Sequence, residues 1–491
     1  MTKEELQALV QDKLSNHPFV AVSNREPYIH RWVGEEIKCF RPAGGLTMAL
    51  DPVMQACGGT WVAHGSGDAD PDVVDEQGRI SVPPEAPRYT LKRVWLSKNE
   101  EAGYYDGFSN QALWPLCHNV YVRPIFHQTD WDAYREVNGR FADAVCAEIG
   151  DGGAFVFIQD YHLALLAKMI KERCPNVITA QFWHIPWPNH EAFRICQWQE
   201  DILDGLLAND LIGFHTLYDC SNFLETVDRT LECRIEREKR AIIRAAHSTS
   251  VQAFPIGVDF AKISARAARE EVVSEMDRLR RDYDLRQEFI GIGIDRVDYT
   301  KGIVERFKAI DLFLGKNPRY EGRFTFVQAG EPSRTHIDQY QRLNDEIDEL
   351  VEDINCRRQR RAWKPIIYIK EHLNPLTVSA LQRLASFCIV SSLHDGMNLV
   401  AKEFVSSRLD GDGVLILSRF TGAARELSHA LQVNPYSLDD MAKSIKVALN
   451  MSKKERRRRM SSLRAIVQEN NVYYWASSII SEIGRFRFPQ D

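Results

Sequence analysis

Two basic residues stand close together in the second half of the chain, directly before a helical pattern. Arg296 and Lys301 lie in the segment Asp295–Gly302 (DRVDYTKG), which follows a short apolar run. At the carboxyl edge of a parallel sheet and beside a helix N-terminus, a planar guanidinium and a compact ammonium group suit a diphosphate. For this segment alone, an exposed loop with internal salt bridges is an equally good interpretation. Arg334 supplies another cation after the next apolar run.

The segment His394–Glu403 (HDGMNLVAKE) could form the start of a phosphate-binding helix. It follows the apolar run Phe387–Ser391. Asn398 is a good N-cap for the helix that would begin there, so the N–H groups of Leu399 and Val400 would point at a phosphate.

Two carboxylates belong to the same segment. Asp395 precedes the predicted helix and could accept hydrogen bonds from sugar hydroxyls. Glu403, about one turn into that helix, could accept from the diol of a ribose. Groups for phosphate, sugar and ribose therefore come from one short stretch of chain.

The first half carries polar residues at similar positions. Arg25 follows an apolar run, and the pair Gly44-Gly45 precedes a helical stretch, where backbone N–H groups can approach an anion closely. Asp160 and His184 each end a further apolar run, so both could reach the hydroxyls of one ligand. Taken singly, the Gly-Gly pair is more typical of an ordinary turn. Asp160 and His184 are each more simply read as structural hydrogen-bonding groups.

The elements that must position these residues alternate between strand and helix. Helical apolar spacing is clear at Trp131–Ile149 and Leu163–Arg173, and the stretch after Met451 looks helical to about Phe486. Such alternation predicts an α/β protein with two doubly wound, Rossmann-like domains facing each other across a cleft, residues 1–255 and 256–470. The buried strands that we predict are Phe19–Ser23, Ala154–Gln159, Thr179–Trp183, Leu211–Phe214, Phe289–Ile294, Phe324–Gln328, Pro365–Ile369, Phe387–Ser391 and Gly413–Leu417.

Bulk composition narrows the class of protein. A chain of 491 residues with 44% hydrophobic and 26% charged residues is typical of a globular protein with more than one domain. A net charge of −6 gives no global attraction to nucleic acid or to an anionic membrane, so phosphate must be bound by local cations. No apolar run is long enough for a membrane span or a signal peptide. The ten scattered cysteines form no CxxC pair, which favours reduced thiols and a cytoplasmic protein.

Three charged segments suggest other functions that we set aside. Asp68–Asp72 (DADPD) resembles a DxD metal site but lies in a loop rich in Gly and Pro, away from the phosphate motifs, so we predict no metal and no other cofactor. The basic runs Lys453–Arg459 and Cys356–Lys364 are more typical of solvated surface than of a nucleic-acid site. The second of them could also support subunit contacts in a homo-oligomer or attract an anionic substrate.

Taken together, the motifs resemble a known family. The segments SNRxP, AGGL, YYDGFSNxxLWPLxH, DYHL, HIPWP, RVDYTKG, PSR and DGMNLVAKEF occur in the order seen in trehalose-6-phosphate synthases, members of glycosyltransferase family 20. The resemblance extends from about Phe19 to Asn450. It implies the GT-B fold, with a C-terminal helix (residues 471–491) that returns to the first domain. It also implies transfer of glucose, with retention, from a nucleoside-diphosphate glucose to glucose 6-phosphate.

The resemblance also implies roles for individual residues. The implied donor site comprises Gly44, Gly45, His184, Arg296, Lys301, Asp395, Gly396, Met397, Asn398, Leu399, Val400 and Glu403. The implied acceptor site comprises Arg25, Tyr105, Trp114, Asp160 and Arg334. The residues expected to carry the chemistry are Arg296, Lys301, Asp395, His184 and Asp160.

The implied reaction is a front-face substitution in which the leaving diphosphate takes the proton of the acceptor hydroxyl. It fits the sequence, because we find no carboxylate pair to assign as nucleophile and acid.

The chain departs from the family pattern at a few positions. Gln159 stands where histidine is usual, and His394 stands where arginine is frequent. Ser23–Tyr28 (SNREPY) also resembles glucosylglycerol-phosphate synthases, which would use glycerol 3-phosphate as acceptor. A non-catalytic sugar-phosphate sensor is a further alternative, although such a protein could have lost Asp395, Arg296 or Lys301, and all three are present.

Overall fold

The computed structural model describes residues 1–14, 17–42, 44–150 and 152–488. The chain divides into two compact units. The first unit combines Met1–Gly257 with Val472–Asp491, and the second is Val258–Asn471. Within the described ranges, no helix has both the length and the apolarity needed to cross a membrane.

The first unit is built on a ten-stranded sheet and a separate two-stranded hairpin. The sheet strands are β1 Phe19–Arg25, β4 Thr60–His64, β5 Arg79–Val82, β6 Tyr89–Val94, β7 Ala154–Gln159, β8 Val177–Phe182, β9 Leu211–Phe214, β10 Arg234–Glu236, β11 Ala241–Arg244 and β12 His247–Ala253. The hairpin pairs β2 Ile29–Val33 with β3 Glu36–Phe40.

The order of strands in the large sheet is β10-β11-β12-β9-β8-β7-β1-β4-β6-β5. Neighbours from β12 to β6 run parallel, and antiparallel pairs occur only towards the two edges of this sheet. Every residue of β7 and β8 is buried, which explains why these central strands are continuous apolar runs in the sequence.

Helices cover the sheet of the first unit. They are α1 Lys3–Leu14, α2 Gly45–Cys57, α3 Lys98–Glu101, α4 Trp114–Cys117, α5 Gln128–Ile149, α6 Leu166–Arg173, α7 His190–Phe193, α8 Gln199–Leu206 and α9 Leu217–Thr230. A π-helix spans Ala102–Leu113 and contains the YYDGFSN motif. Helix α1 buries Leu6, Val10 and Leu14 and packs against the C-terminal helix α19, Val472–Ile483.

The second unit is built on a six-stranded sheet in which all neighbours run parallel. Its strands are β13 Phe289–Arg296, β14 Phe324–Glu331, β15 Ile366–Ile369, β16 Phe387–Val390, β17 Val414–Ser418 and β18 Leu431–Val433. Its helices are α10 Phe260–Ala267, α11 Glu270–Asp282, α12 Ile303–Lys316, α13 Asp338–Arg358, α14 Pro375–Leu384, α15 Leu399–Ser407, α16 Ala423–Glu426, α17 Leu438–Asn450 and α18 Lys453–Glu469.

Strand order in the second unit creates a switch point. The order is β15-β14-β13-β16-β17-β18, so the chain builds outwards from β13 in one direction and then from β16 in the other. Ligands of doubly wound sheets bind at the carboxyl ends of the two strands where this reversal occurs. The residues after β13 and β16 are therefore expected to meet.

The predicted strands agree with the structure to within a few residues at each end. The strands β4–β6, β10–β12 and β18 and the hairpin are not predicted, because their apolar patterns are short or mixed with polar residues. The predicted helical stretch after Met451 is divided at Asn470-Asn471 into α18 and α19.

Candidate active site

A salt bridge joins the two segments that follow the strands of the switch point. The ammonium group of Lys301, after β13, lies 2.6 Å from Oδ2 of Asp395, after β16. Each of the two side chains retains 14% of its exposure. Two motifs that the sequence predicted separately therefore form one polar site.

The loop that carries Lys301 has a fixed backbone. Oδ1 of Asp298 accepts hydrogen bonds from the N–H and the hydroxyl of Thr300, at 2.9 and 2.8 Å. Gly302 follows Lys301 with a φ of +61°. A Cβ atom at Gly302 would lie 2.4 Å from the carbonyl oxygen of Ser391. Glycine is therefore required there, and it brings the loop against the end of β16.

Asp395 is held by neutral donors as well as by Lys301. Its Oδ2 accepts from the hydroxyl of Ser392 at 3.1 Å and from the side-chain amide of Asn398 at 3.2 Å. Its backbone pairs with the loop after β17, since its N–H donates to Phe420 and its carbonyl accepts from Gly422, both at 3.1 Å. The carboxylate orientation is therefore set before any ligand binds.

Asn398 caps helix α15 as predicted, from an unusual backbone conformation. Its φ is +76°, and its Oδ1 accepts from the N–H of Ala401 at 3.3 Å. Leu399 and Val400 are the first two residues of the helix and remain partly exposed. Their N–H groups have no acceptor within the helix, as at any helix start.

Gly396 and Met397, between Asp395 and Asn398, are buried against the loop that follows β17. The carbonyl of Met397 accepts from the N–H of Ala423 at 2.9 Å. A Cβ atom at Gly422 would lie 1.9 Å from the carbonyl oxygen of Gly396, so the two loops are in backbone contact.

Glu403 lies further along α15, and its environment disfavours the charged form. Burial raises its pKa to about 7, and the nearby guanidinium of Arg266 lowers it by a smaller amount. Glu403 makes no hydrogen bond to any residue that the structure describes. A partly buried carboxylate that no described residue hydrogen-bonds is suited to receive a ligand hydroxyl.

Arg306, which is not predicted from the sequence, holds together the strand ends that carry Lys301 and Asp395. Its fully buried guanidinium donates to Asp295 and to Gln328, both at 2.6 Å, and to the hydroxyl of Ser391 at 2.9 Å. Ser391 in turn donates to the carbonyl of Gly302 at 2.8 Å. This arginine therefore connects the carboxyl ends of β13, β14 and β16. No sequence motif around it indicates this role.

The two other predicted cations of this unit lie at neighbouring strand ends. Arg296 is the last residue of β13 and is partly exposed. Arg334 follows β14 with a φ of +52°, and its Nη1 lies 3.3 Å from Asp298 and 2.6 Å from the hydroxyl of Tyr340. Burial alone would raise the pKa of Asp298, but Arg334 and then Lys301 hold that pKa below its usual value.

In the first unit, Arg25 and the start of α2 form a second cationic group. Nη2 of Arg25, the last residue of β1, donates to the hydroxyl of Tyr105 at 3.0 Å. A Cβ atom at Gly44 would lie 3.9 Å from Nη1 of Arg25, so this guanidinium adjoins the N-terminus of the helix that begins at Gly45. Trp114, by contrast, is buried at the end of the π-helix and packs against His118.

Asp160 and His184 are in direct contact, as their places on neighbouring strands predict. Oδ1 of Asp160 accepts from the N–H of His184 at 3.1 Å. Nε2 of His184 lies 2.9 Å from Oε1 of Gln159. Burial keeps the pKa of His184 well below its usual value, with smaller effects of His215 and His162. The imidazole is therefore neutral.

In the DADPD segment, the central aspartate Asp70 takes part in buried ion pairs. Asp70 is fully buried and lies 2.7 Å from the guanidinium of Arg93 and 3.2 Å from His30. Arg93 also pairs with the buried Glu26 at 2.9 Å. Among the described residues, no group of three or more His, Cys, Asp or Glu side chains is arranged to hold a metal ion.

The two doubly wound units, with cations and helix starts at the carboxyl edges of their sheets, define a glycosyltransferase of the GT-B fold class. The chain belongs to glycosyltransferase family 20, whose profile matches residues 17–485. The trehalose-6-phosphate synthase of Mycobacterium marinum is 36% identical over 487 residues, which cover 96% of this chain and 95% of that protein.

Two solved structures are similar over nearly the whole chain. "Trehalose-6-phosphate from E. coli bound with UDP-2-fluoro glucose" has a TM-score of 0.85 and 29% identity, covering 96% of this chain and 100% of that one. A UDP-forming α,α-trehalose-phosphate synthase from Burkholderia xenovorans in complex with glucose-6-phosphate has a TM-score of 0.85 and 28% identity, covering 95% and 99%. The predicted family, enzyme class and fold class are thereby confirmed.

Proposed function

We propose that this chain transfers glucose from UDP-glucose to glucose 6-phosphate, with retention, to form α,α-trehalose 6-phosphate. The observation that carries the proposal is the contact of Lys301 with Asp395 at the switch point, where a cation for diphosphate and a carboxylate for sugar stand side by side. The relatives support both substrates, because the similar structures are described with a UDP-sugar analogue and with glucose-6-phosphate. They do not favour the alternative acceptor, glycerol 3-phosphate.

In the donor site, each polar group is assigned to the part of the nucleotide sugar that its chemistry suits. Arg296, Lys301 and the first N–H groups of α15 bind the diphosphate, since cations and helix starts both attract anions. Asp395 and His184 bind hydroxyls of the glucose, and Glu403 binds the ribose diol. The backbone of Gly396–Asn398 shapes this site, and the Gly44-Gly45 helix start adds N–H donors.

In the acceptor site, the cationic groups serve the phosphate of glucose 6-phosphate. Arg25, aligned by Tyr105, offers the planar fork that suits a phosphate. Arg334 is assigned as a second cation for that phosphate, and Trp114 is assigned to the same site. Asp160 accepts hydrogen bonds from the sugar of the acceptor.

The reaction is a substitution at the anomeric carbon, and its atoms balance without a cofactor. The bond from this carbon to the diphosphate oxygen breaks, and a bond to the acceptor hydroxyl oxygen forms on the same face. The proton of that hydroxyl passes to the departing diphosphate. Arg296, Lys301 and the N-terminus of α15 stabilise the negative charge that grows on the diphosphate, which is electrostatic catalysis.

The carboxylates of the site are placed for binding rather than for attack. Oδ2 of Asp395 already accepts from Lys301, Ser392 and Asn398. Oδ1 of Asp160 accepts two backbone N–H groups, those of Tyr161 and His184. In each carboxylate one oxygen is therefore occupied by donors, which weakens that oxygen as a nucleophile and supports the front-face reaction.

We also propose that the reaction needs no divalent ion, because protein cations stand where the charge develops. The protein is proposed to act in the cytoplasm, which suits its ten free cysteines.

A matrix assay of nucleoside-diphosphate release tests the function. It crosses UDP-, GDP- and ADP-glucose with glucose 6-phosphate and glycerol 3-phosphate, in EDTA, with mass spectrometry of the products. We expect a disaccharide phosphate from UDP-glucose and glucose 6-phosphate. Product only with glycerol 3-phosphate would replace the proposed acceptor, and no turnover with any pair would favour the sensor.

A further inference from the structure

Both the backbone and the imidazole of His184 are held by neighbouring residues. Its backbone N–H donates to Asp160 at 3.1 Å, and its carbonyl lies 3.0 Å from Nε2 of His215. Its ring packs edge-on against Phe182, with centroids 4.7 Å apart. Nε2 faces Oε1 of Gln159 at 2.9 Å, and this side chain is fully buried.

The Gln159 amide has one further contact, which is consistent with Oε1 facing His184. Its Nε2 lies 3.5 Å from the carbonyl oxygen of Phe157, a weak donor contact. The reverse orientation would place two oxygens together. Oε1 therefore faces His184, and because an amide oxygen only accepts, Nε2 of His184 must carry the hydrogen.

A neutral imidazole with a hydrogen on Nε2 has a bare Nδ1. Among the described residues, Nδ1 of His184 has no hydrogen-bond partner, and it is not sealed in the core. A bare imidazole nitrogen accepts a hydrogen bond and cannot donate one. This atom is therefore suited to a ligand group that donates, such as a hydroxyl.

We propose that Gln159 is a positioning residue that holds His184 in the Nε2–H tautomer, so that Nδ1 accepts a hydrogen bond from a hydroxyl of the donor glucose. The inference rests on the proposed function, in which His184 binds this sugar. A histidine at position 159, as is usual in the family, could either donate to His184 or accept from it. Glutamine, through this oxygen, allows only one tautomer.

The tautomer can be measured in the free protein by ¹⁵N NMR of labelled histidine, with the His184 signals assigned through a His184→Phe variant. We expect wild-type His184 to be protonated on Nε2 and bare on Nδ1. Gln159→Met removes the acceptor, so the signal should shift towards the other tautomer. Gln159→Glu keeps an acceptor oxygen and adds charge, so His184 should take a second proton at a higher pH than in the wild type.

Gln181→Met is the matched control. Gln181 is another buried glutamine, on the neighbouring strand β8, and it donates to the carbonyls of Asp160 and Leu163 without touching His184. Its replacement should leave the tautomer unchanged. A wild-type His184 protonated on Nδ1, or a Gln159→Met protein with the wild-type tautomer, would overturn the proposal.

Kinetics with deoxy donors test the sugar contact. In Gln159→Met we expect kcat/KM for UDP-glucose to fall about 10-fold, the effect of one hydrogen bond, with little change in KM for the acceptor. With the wild-type enzyme, one UDP-monodeoxyglucose should have a kcat/KM about 10-fold lower than that of UDP-glucose. With Gln159→Met, the same deoxy donor should cause no further loss of kcat/KM, because the substitution and the missing hydroxyl remove the same contact. Additive losses for every deoxy donor would refute the contact. A wild type inactive with every substrate pair, but with the expected tautomer, would instead refute the proposed function.

Discussion

Nζ of Lys301 and Oδ2 of Asp395 lie 2.6 Å apart although the two residues are 94 positions apart in the chain. In the free protein, the cation proposed for the diphosphate is thus neutralised by the carboxylate proposed for the glucose. Each group holds the other in place before the donor arrives. Such preorganisation lowers the cost of arranging charges in the transition state.

Replacing Lys301 should remove catalysis rather than folding. In Lys301→Met we expect kcat to fall about 100- to 1000-fold, as for the loss of one oxyanion donor elsewhere. Asp395 would keep the donors Ser392 and Asn398, so the loop should persist. Steady-state release of UDP is the measurement. Lys308→Met, on the exposed side of α12, is the control and should turn over normally.

A small effect in Lys301→Met at saturating donor would contradict the proposed role. The same comparison in Arg296→Met would then show whether the other cation carries the charge alone.

The pH dependence of donor use should report Glu403, whose pKa burial raises to about 7 in the free protein. The ionised carboxylate accepts hydrogen bonds from a ribose diol better than the protonated acid. We therefore expect kcat/KM for UDP-glucose to decline as the pH falls through about 7 and to level off above it. The measurement is a pH profile at low donor concentration.

Glu403→Gln should lower this kcat/KM and flatten its profile, since an amide does not titrate. Glu288→Gln, at an exposed pair with Arg323, should keep the wild-type profile. An unchanged inflection in Glu403→Gln would assign the titration to another group.

Loss of Arg306 should destabilise the second unit. Arg306→Met leaves the buried carboxylate of Asp295 without its cation, and breaking a buried pair from one side costs about 3–5 kcal/mol. Urea unfolding followed by circular dichroism measures the free energy of unfolding. The exposed pair of Arg280 with Asp277 is the control, because Arg280→Met should change stability by at most about 1 kcal/mol. Equal free energies of unfolding for the two variants would show that the buried contacts of Arg306 do not stabilise the fold.

Acceptor binding should depend on the contact between Arg25 and Tyr105. Tyr105→Phe removes the hydroxyl that accepts a hydrogen bond from Nη2 of Arg25, so the guanidinium loses its alignment. We expect KM for glucose 6-phosphate to rise about 3- to 10-fold, the effect of one hydrogen bond, with KM for UDP-glucose nearly constant. Tyr218→Phe, at an exposed tyrosine of α9, should leave both constants unaltered. A rise confined to the donor KM would place Tyr105 in the other site.

Local patterns were sufficient to predict the elements and several of the site residues. The continuous apolar runs of β7 and β8 mark them as central parallel strands, and Asn398 marks the start of α15. The sequence predicts Lys301 and Asp395 each from its own segment, because polar residues directly after buried strands lie at the ligand-binding edge of such a sheet. The family motifs added roles that neither pattern nor composition could assign.

Strand and helix patterns depend on near neighbours, so the amino-acid sequence was enough to predict an α/β protein with cations after its strands. Which of those residues touch depends on the tertiary structure. The role of Arg306 follows from the strand order, which brings its partners Asp295, Gln328 and Ser391 together. The match of Gln159 with His184 likewise depends on the pairing of β7 with β8. Contacts between distant segments follow from how strands are ordered and packed, and that order is a property of the whole core rather than of any single stretch of sequence.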